Sequence, residues 1–342
     1  MRIAKAAAVA AALVLMLVCA ACNGGSGATE ELDSAEAIVA KMMEAETTLE
    51  TYTSEATVDG EFSINIPGED AFSMEMEFSG TMDTVVNMLN QETAATMELE
   101  MTPAEGRPGR ISMTMDSYLV DETMYYKLDS PIYSMGWAKV GMSDEYGDLS
   151  DESMSQMDMT QAQFDMLECA DIDLVGSERV DGTYCYVLDV APNSSVIWDL
   201  YMEMAESQPG MEGFSDPESM METMWDDTVE KYTLRLWVAK DTLYPVKVEI
   251  AAAITMDEDT MVAMEEAMLS GLEEQSSEPE VSPTMSPAVS TELEFEGFYF
   301  HIDMSMTAFM RDYNQPVNIE LPPGAEDAVD MSYYDGSIEG GW

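Results

Sequence analysis

The chain has 342 residues, 68 Asp and Glu against 13 Lys and Arg, and a formal net charge of −55. A field this negative repels nucleic acid and anionic lipid headgroups and excludes partners held through phosphate contacts. Hydrophobic residues still make up 46% of the chain, so it can bury a sizeable core and is not of the disordered class.

Arg2 and Lys5 precede an apolar stretch from Ala6 to Val18, and the small pair Ala20-Ala21 stands before Cys22, the layout of a secretory signal. The apolar run is short for a membrane span. Asn23-Gly24-Gly25-Ser26-Gly27 follows as a flexible spacer. This segment resembles the lipobox of prokaryotic lipoproteins, with Cys19 where that pattern usually has Leu. The resemblance implies cleavage after residue 21, lipidation of Cys22 and attachment to the extracytoplasmic face of a cell membrane. The alternative is an ordinary signal peptide with an incidental cysteine. Removal of residues 1–21 takes away Arg2 and Lys5 and no acids, so the mature chain carries −57.

With Cys19 and Cys22 assigned to leader and anchor, Cys169 and Cys185 remain, and an exported pair is a plausible disulfide. Two separate buried thiols are the alternative. Their spacing excludes a CxxC-type metal or redox site. Domain organisation is read as a leader over 1–21, a lipidated tether over 22–32, one domain over 33–328 and a tail over 329–342.

Asp33 can cap a helix with Glu36 at N3, and Ile38, Met42, Ala45 and Leu49 recur at helical spacing. From Tyr52 the period becomes two: Tyr52, Ala56, Val58, Phe62, Ile64 and Ile66 alternate with polar residues, which predicts a strand wet on one face. The pattern recurs at Met74/Met76/Phe78, at Met97/Leu99/Met101 and at Ile111/Met113/Met115. Further strands are predicted at 123–128 and around Trp137 and Val140. Short polar turns between them point to an antiparallel meander rather than βαβ units.

Residues 142–160 read as an acidic, Met-rich loop and 160–170 as a short helix. Strands at 172–180 and 184–190 flank Asp181-Gly182, a hairpin signal. Helices are predicted at 194–207 and 217–225, separated by the breaker Gln208-Pro209-Gly210. Strands return at 232–238 and 246–253. Residues 257–292 read as an insertion, a Met-rich helix followed by a disordered Ser/Pro/Glu-rich loop. A last strand starts at Leu293 and Phe295, shifts its alternation through a bulge at Gly297, and continues through Phe300, Ile302, Met304 and Met306.

The order of lipidated cysteine, spacer, amphipathic helix, long strands and hairpin, with the stretches 180–188, 236–248 and 313–325, resembles the LolA/LppX/LprG-like lipoproteins. The resemblance implies an α+β, mainly β fold: a strongly curved antiparallel sheet, an open half-barrel, with helices covering its concave face. It also implies a role as carrier of a lipid or acyl chain held between sheet and helices. Phe62, Ile64, Met76, Phe78, Met97, Leu99, Met113, Leu236, Val248, Phe300 and Met304 are the candidate lining residues, although the same set would serve as a plain core.

Methionine invites a sharper reading. There are 34, and pairs such as Met74/Met76, Met113/Met115, Met157/Met159 and Met304/Met306 put two thioethers on one face of any strand that holds them. Thioethers suit copper(I), flexible acyl-chain cavities, or simply a core in which Met replaces Leu. A single histidine, His301, removes the common nucleophile–base arrangements, so no enzyme, catalytic residue, cofactor or metal centre is expected. The run Asp144, Glu145, Asp148, Asp151 and Glu152 lacks the spacing of a calcium loop, and Asn193-Ser194-Ser195 matches a glycosylation pattern with a high chance rate. Three readings result: a ligand carrier, a surface interaction domain without a cavity, and a copper(I) binder.

Overall fold

The computed structural model describes residues 32–67, 71–104, 109–131, 134–141, 167, 170–191, 228–260, 262 and 297–330. Helix α1 is Ala35–Glu46, followed by β1 Thr51–Ile66, β2 Phe72–Asn87, β3 Glu92–Pro103, β4 Ile111–Val120, β5 Thr123–Asp129 and β6 Ser134–Gly141. Then come β7 Asp171–Val180, β8 Thr183–Ala191, β9 Val229–Ala239, β10 Pro245–Asp257, β11 Tyr299–Arg311 and the two-residue β12 Val329–Asp330. All twelve strands form one sheet in the order β12-β6-β5-β4-β3-β2-β1-β11-β10-β9-β8-β7. Its end strands β12 and β7 do not pair with each other, so the sheet is open. Every pairing is antiparallel except the short β12–β6 contact.

Period-two alternation sends side chains to opposite faces, and the register keeps the apolar ones aligned across strands. One line of directly opposed residues runs Met113–Leu99–Gly80–Val58–Met306–Ile250–Leu234–Val190–Ile172, from β4 to β7. The opposite face carries Glu98, Thr81, Thr57, Thr307, Glu249, Arg235 and Asp189 in the same manner. On that face Arg235 grips Asp189 through Nε at 2.5 Å and a second nitrogen at 2.8 Å.

α1 lies on the apolar face. Ser34, not Asp33, is its N-cap: its hydroxyl accepts from the Ala37 N–H at 3.2 Å, which makes Ala37 the N3 residue. Glu36 then sits in the first turn, where backbone and Ser34 hydrogen bonds hold its carboxyl below the usual range. The helix ends at Glu46, so Leu49 belongs to a separate cluster with Tyr52, Val86 and Tyr244. Ala35, Ile38, Val39 and Met42 pack against Leu188, Leu236, Val238, Val248, Ala308 and Met310. Ile38 and Met42 are fully buried, each worth about 1.5–3 kcal/mol relative to exposure.

Three of the stretches that carry the family resemblance are turn and clasp chemistry. Asp181 and Gly182 both have positive φ, 46° and 93°, as a two-residue type I′ hairpin requires. Between β9 and β10, Leu243 takes φ 62° and donates its N–H to the Ala239 carbonyl. After β11, Asn314 donates its N–H to the Thr51 carbonyl, accepts from the Glu50 N–H and donates to the Tyr244 hydroxyl. Tyr313 stacks on Tyr244 at 4.3 Å, which fastens the end of β11 to the start of β10.

Several expectations are corrected. Gly297 is a turn residue with φ 84° ahead of β11 rather than a bulge within it; its carbonyl accepts from Asn65 and its N–H donates to Glu258. β10 runs on to Asp257, past the predicted end at 253, because Ile254 and Met256 stay paired with Ile302 and Phe300. The sheet also takes in Val329 and Asp330 from the segment read as a tail. Cys185 is a free, buried thiol. Cys185 packs with Val180, Val187 and Trp237 on the polar face, whereas Leu167 and Ala170 join the core under α1 on the other. Cys169 itself lies outside the described residues, as do Cys22, the helices predicted at 194–207 and 217–225, the run 142–160, Met157/Met159 and Asn193.

Candidate functional site

The apolar face is built by strands whose inward positions are filled almost entirely by Met, Leu, Ile, Val, Phe, Ala and Gly. All eleven candidate lining residues fall on it. Phe62 opposes Met76 and Ile302, and Ile64 opposes Met74 and Phe300. Met304 and Phe78 flank Gly60 from either side. Met97 and Leu99 stand on β3 with Met113 opposite Leu99, and Leu236 opposes Val248.

Their environments differ along the sheet. Leu236 and Val248 sit in the core closed by α1, at 5% and 2% exposure. Ile64, Met76 and Met304 are buried on the central strands β1, β2 and β11. Phe62, Phe78, Met97, Leu99, Met113 and Phe300 are half-buried. The structure therefore places the eleven on one face but in two settings, a packed core under the helix and a more open apolar stretch over β1–β4.

Three of the four Met-x-Met pairs, Met74/Met76, Met113/Met115 and Met304/Met306, lie on this face. Register adds what spacing did not: Met82, Met97 and Met115 oppose one another directly on β2, β3 and β4. Cβ atoms in such pairs are roughly 4.5–5.5 Å apart. Sequence reading also passed over Tyr232, which shares this face opposite Ala252 and whose hydroxyl is buried without a hydrogen-bond partner. Its place between Lys231 and Thr233 hid it.

The polar face offers a depression of about 590 Å³ bordered by Asp59, Glu61, Glu77, Glu100, Arg110 and Asp303. Among the described residues, no group of three or more His, Cys, Asp or Glu is arranged to hold a metal ion. His301 is engaged by the Thr255 hydroxyl at Nδ1, 2.7 Å away, and stacks on Tyr299. Cys185 has its thiol pushed up to about 11 by burial, which keeps it protonated and inert at neutral pH. Among the described residues, no helix is long and apolar enough to cross a membrane.

Among solved structures, the lipoprotein LppX of Mycobacterium tuberculosis aligns with 84% of this chain and 100% of its own, at 12% identity and a TM-score of 0.34. A DUF1329 family protein of Desulfovibrio piger aligns over 84% of this chain and 96% of its own, at 12% identity and a TM-score of 0.21. A putative outer membrane lipoprotein-sorting protein domain of Vibrio parahaemolyticus covers 77% of this chain and 87% of its own, at 8% identity and a TM-score of 0.17. No curated protein matches. Residues 34–276, well over half of the chain, match a family profile, and the chain belongs to the family of unknown function DUF6612.

Proposed function

We propose that this chain is a lipid-anchored extracytoplasmic lipoprotein that carries an apolar ligand, a lipid or acyl chain, on the apolar face of its sheet and performs no chemistry on it. Cys22 is the anchor. The ligand lies over β1–β4, the part of the face that α1 leaves. The single observation that carries this reading is the continuity of the apolar face through nine strands while, among the described residues, the core cluster that α1 joins reaches no further than Met82 of β2 on that side and leaves β3 and β4 outside it. Affinity in such a site comes from buried apolar area, at roughly 25 cal/mol per Å² before ordering costs. Methionine suits it, because flexible thioethers repack around irregular ligands.

The test is native mass spectrometry with lipid extraction on the full chain carrying Cys22→Ser, which leaves nothing to lipidate. The expected result is a co-purifying apolar molecule that is lost in a folded Leu99→Asp or Met113→Glu variant. An empty protein that also takes up no added lipid overturns the reading in favour of an interaction domain. A copper(I) site is favoured by one observation, the opposed thioethers Met82, Met97 and Met115. A competition titration in which the chain takes no copper(I) from a weak chelator removes it.

A further inference from the structure

Among the described side chains of β9, Tyr232 is the inward-facing one with a polar tip. It opposes Ala252, which opposes Met304, which in turn opposes Gly60, so the ring stands in line with the row that Phe78 continues on β2. Its hydroxyl oxygen is buried and has no hydrogen-bond partner. Four residues earlier the Thr228 hydroxyl, on a side chain 7% exposed, is in the same condition. Buried polar groups in folded proteins are nearly always satisfied, and an orphan costs about 1–3 kcal/mol. Phenylalanine would fill the same space without that cost. Burial also raises the pKa of the Tyr232 hydroxyl, so it stays protonated and offers a proton.

The surroundings define what can accept that proton. The inward neighbours Leu234, Ile250, Ile254, Ile302 and Met304 carry no charge. A carboxylate or phosphate there would be buried without a cation, inside a chain of net charge −55. An uncharged carbonyl oxygen meets the hydroxyl without that penalty.

Building on the carrier reading, we infer that Tyr232 is a specificity-determining residue whose hydroxyl donates to the uncharged ester or amide carbonyl of an otherwise apolar ligand. The ligand is thereby registered along the row from Tyr232 toward Phe78, with its chains over the half-buried stretch of β1–β4.

The experiment compares the full Cys22→Ser chain with and without Tyr232→Phe, each stripped of lipid and offered trioleoylglycerol or squalene, an ester and a hydrocarbon without an acceptor. The expected result is about tenfold weaker trioleoylglycerol binding by the Phe variant, the loss of one hydrogen bond, with squalene binding unchanged. The ligand-free variant melts at the same temperature or higher, since an orphaned hydroxyl has been removed. Equal ester binding by both chains overturns the inference and leaves the carrier reading in place. A ligand-free variant that melts lower overturns it too, because the hydroxyl then has a partner within the protein. Failure of the parent chain to bind either probe overturns the carrier reading itself.

Discussion

Phe78 lies over its cross-strand partner Gly60 so closely that a Cβ on Gly60 would stand 2.5 Å from Cζ of the ring and 2.4 Å from the Asp303 carbonyl oxygen. Glycine interrupts the apolar face here because β11 and the Phe78 ring both crowd the position. Gly60→Ala is expected to lower stability by about 2 kcal/mol or more, read as a fall in the denaturation midpoint. Adding Phe78→Leu relieves the ring but not the backbone oxygen, so the double variant stays below the parent.

The β4–β5 hairpin turns on Asp121 and Glu122, with φ 49° and 57°. Both residues occupy the left-handed region, which costs a residue with a Cβ roughly 1 kcal/mol. The β7–β8 hairpin solves the same problem with Asp181-Gly182. Glu122→Gly should therefore raise stability by about 0.5–1 kcal/mol without altering the register of Val120 opposite Thr123. Thermal melting checks it; a loss of stability would mean that the turn is held by more than its backbone.

Asn314 joins three chain segments by its side-chain bonds to the Glu50 N–H at 2.7 Å and the Tyr244 hydroxyl at 2.9 Å, and by its own φ of 56°. Asn314→Ala removes both bonds at a position that alanine tolerates poorly, an expected cost of about 2–3 kcal/mol. Hydrogen exchange should quicken at the Thr51 end of β1 and at the Arg311 end of β11 before it does elsewhere.

Cys185 is fully buried with its thiol raised to about 11. The folded state favours the protonated thiol, so its contribution is complete below the ordinary cysteine value near 9 and is lost as pH rises from there through about 11. A thiol reagent at pH 8 should leave Cys185 unmodified in the native chain and label it after unfolding, as peptide mass mapping would show. Prompt native labelling would contradict its burial.

Strand identity was legible wherever one face is dry and the other wet. In β1 Ala56, Val58, Phe62 and Ile64 announce their side, and Gly60 alone in that series is silent. Strand length was not, because β2 continues through Gly80 and Thr84, whose small or polar side chains break the hydrophobic alternation that cross-strand pairing preserves. The eleven lining residues were recoverable as a face, since parity alone assigns it. Register cannot be read from parity, so neither the row Met82–Met97–Met115 nor the line from Tyr232 to Phe78 could be. β12 went unread because two residues carry no period, and Ser34 displaced Asp33 as cap because either chemistry fits and packing of Ile38 chose between them.

β1 lies in the middle of the sheet, yet its partner on one side, β11, comes from the far end of the chain, with Thr53 and Arg311 separated by 258 residues. The meanders β1–β6 and β7–β10 can each assemble from neighbouring segments as they emerge during synthesis, but the seam between them cannot close until residues 299–311 have been made. Over that interval β1 presents a sixteen-residue open edge to every other unfinished chain nearby. Glu55, Asp59 and Glu61 along it repel a second copy of the same strand, so the acidity that keeps the finished protein apart from anionic partners also guards its assembly.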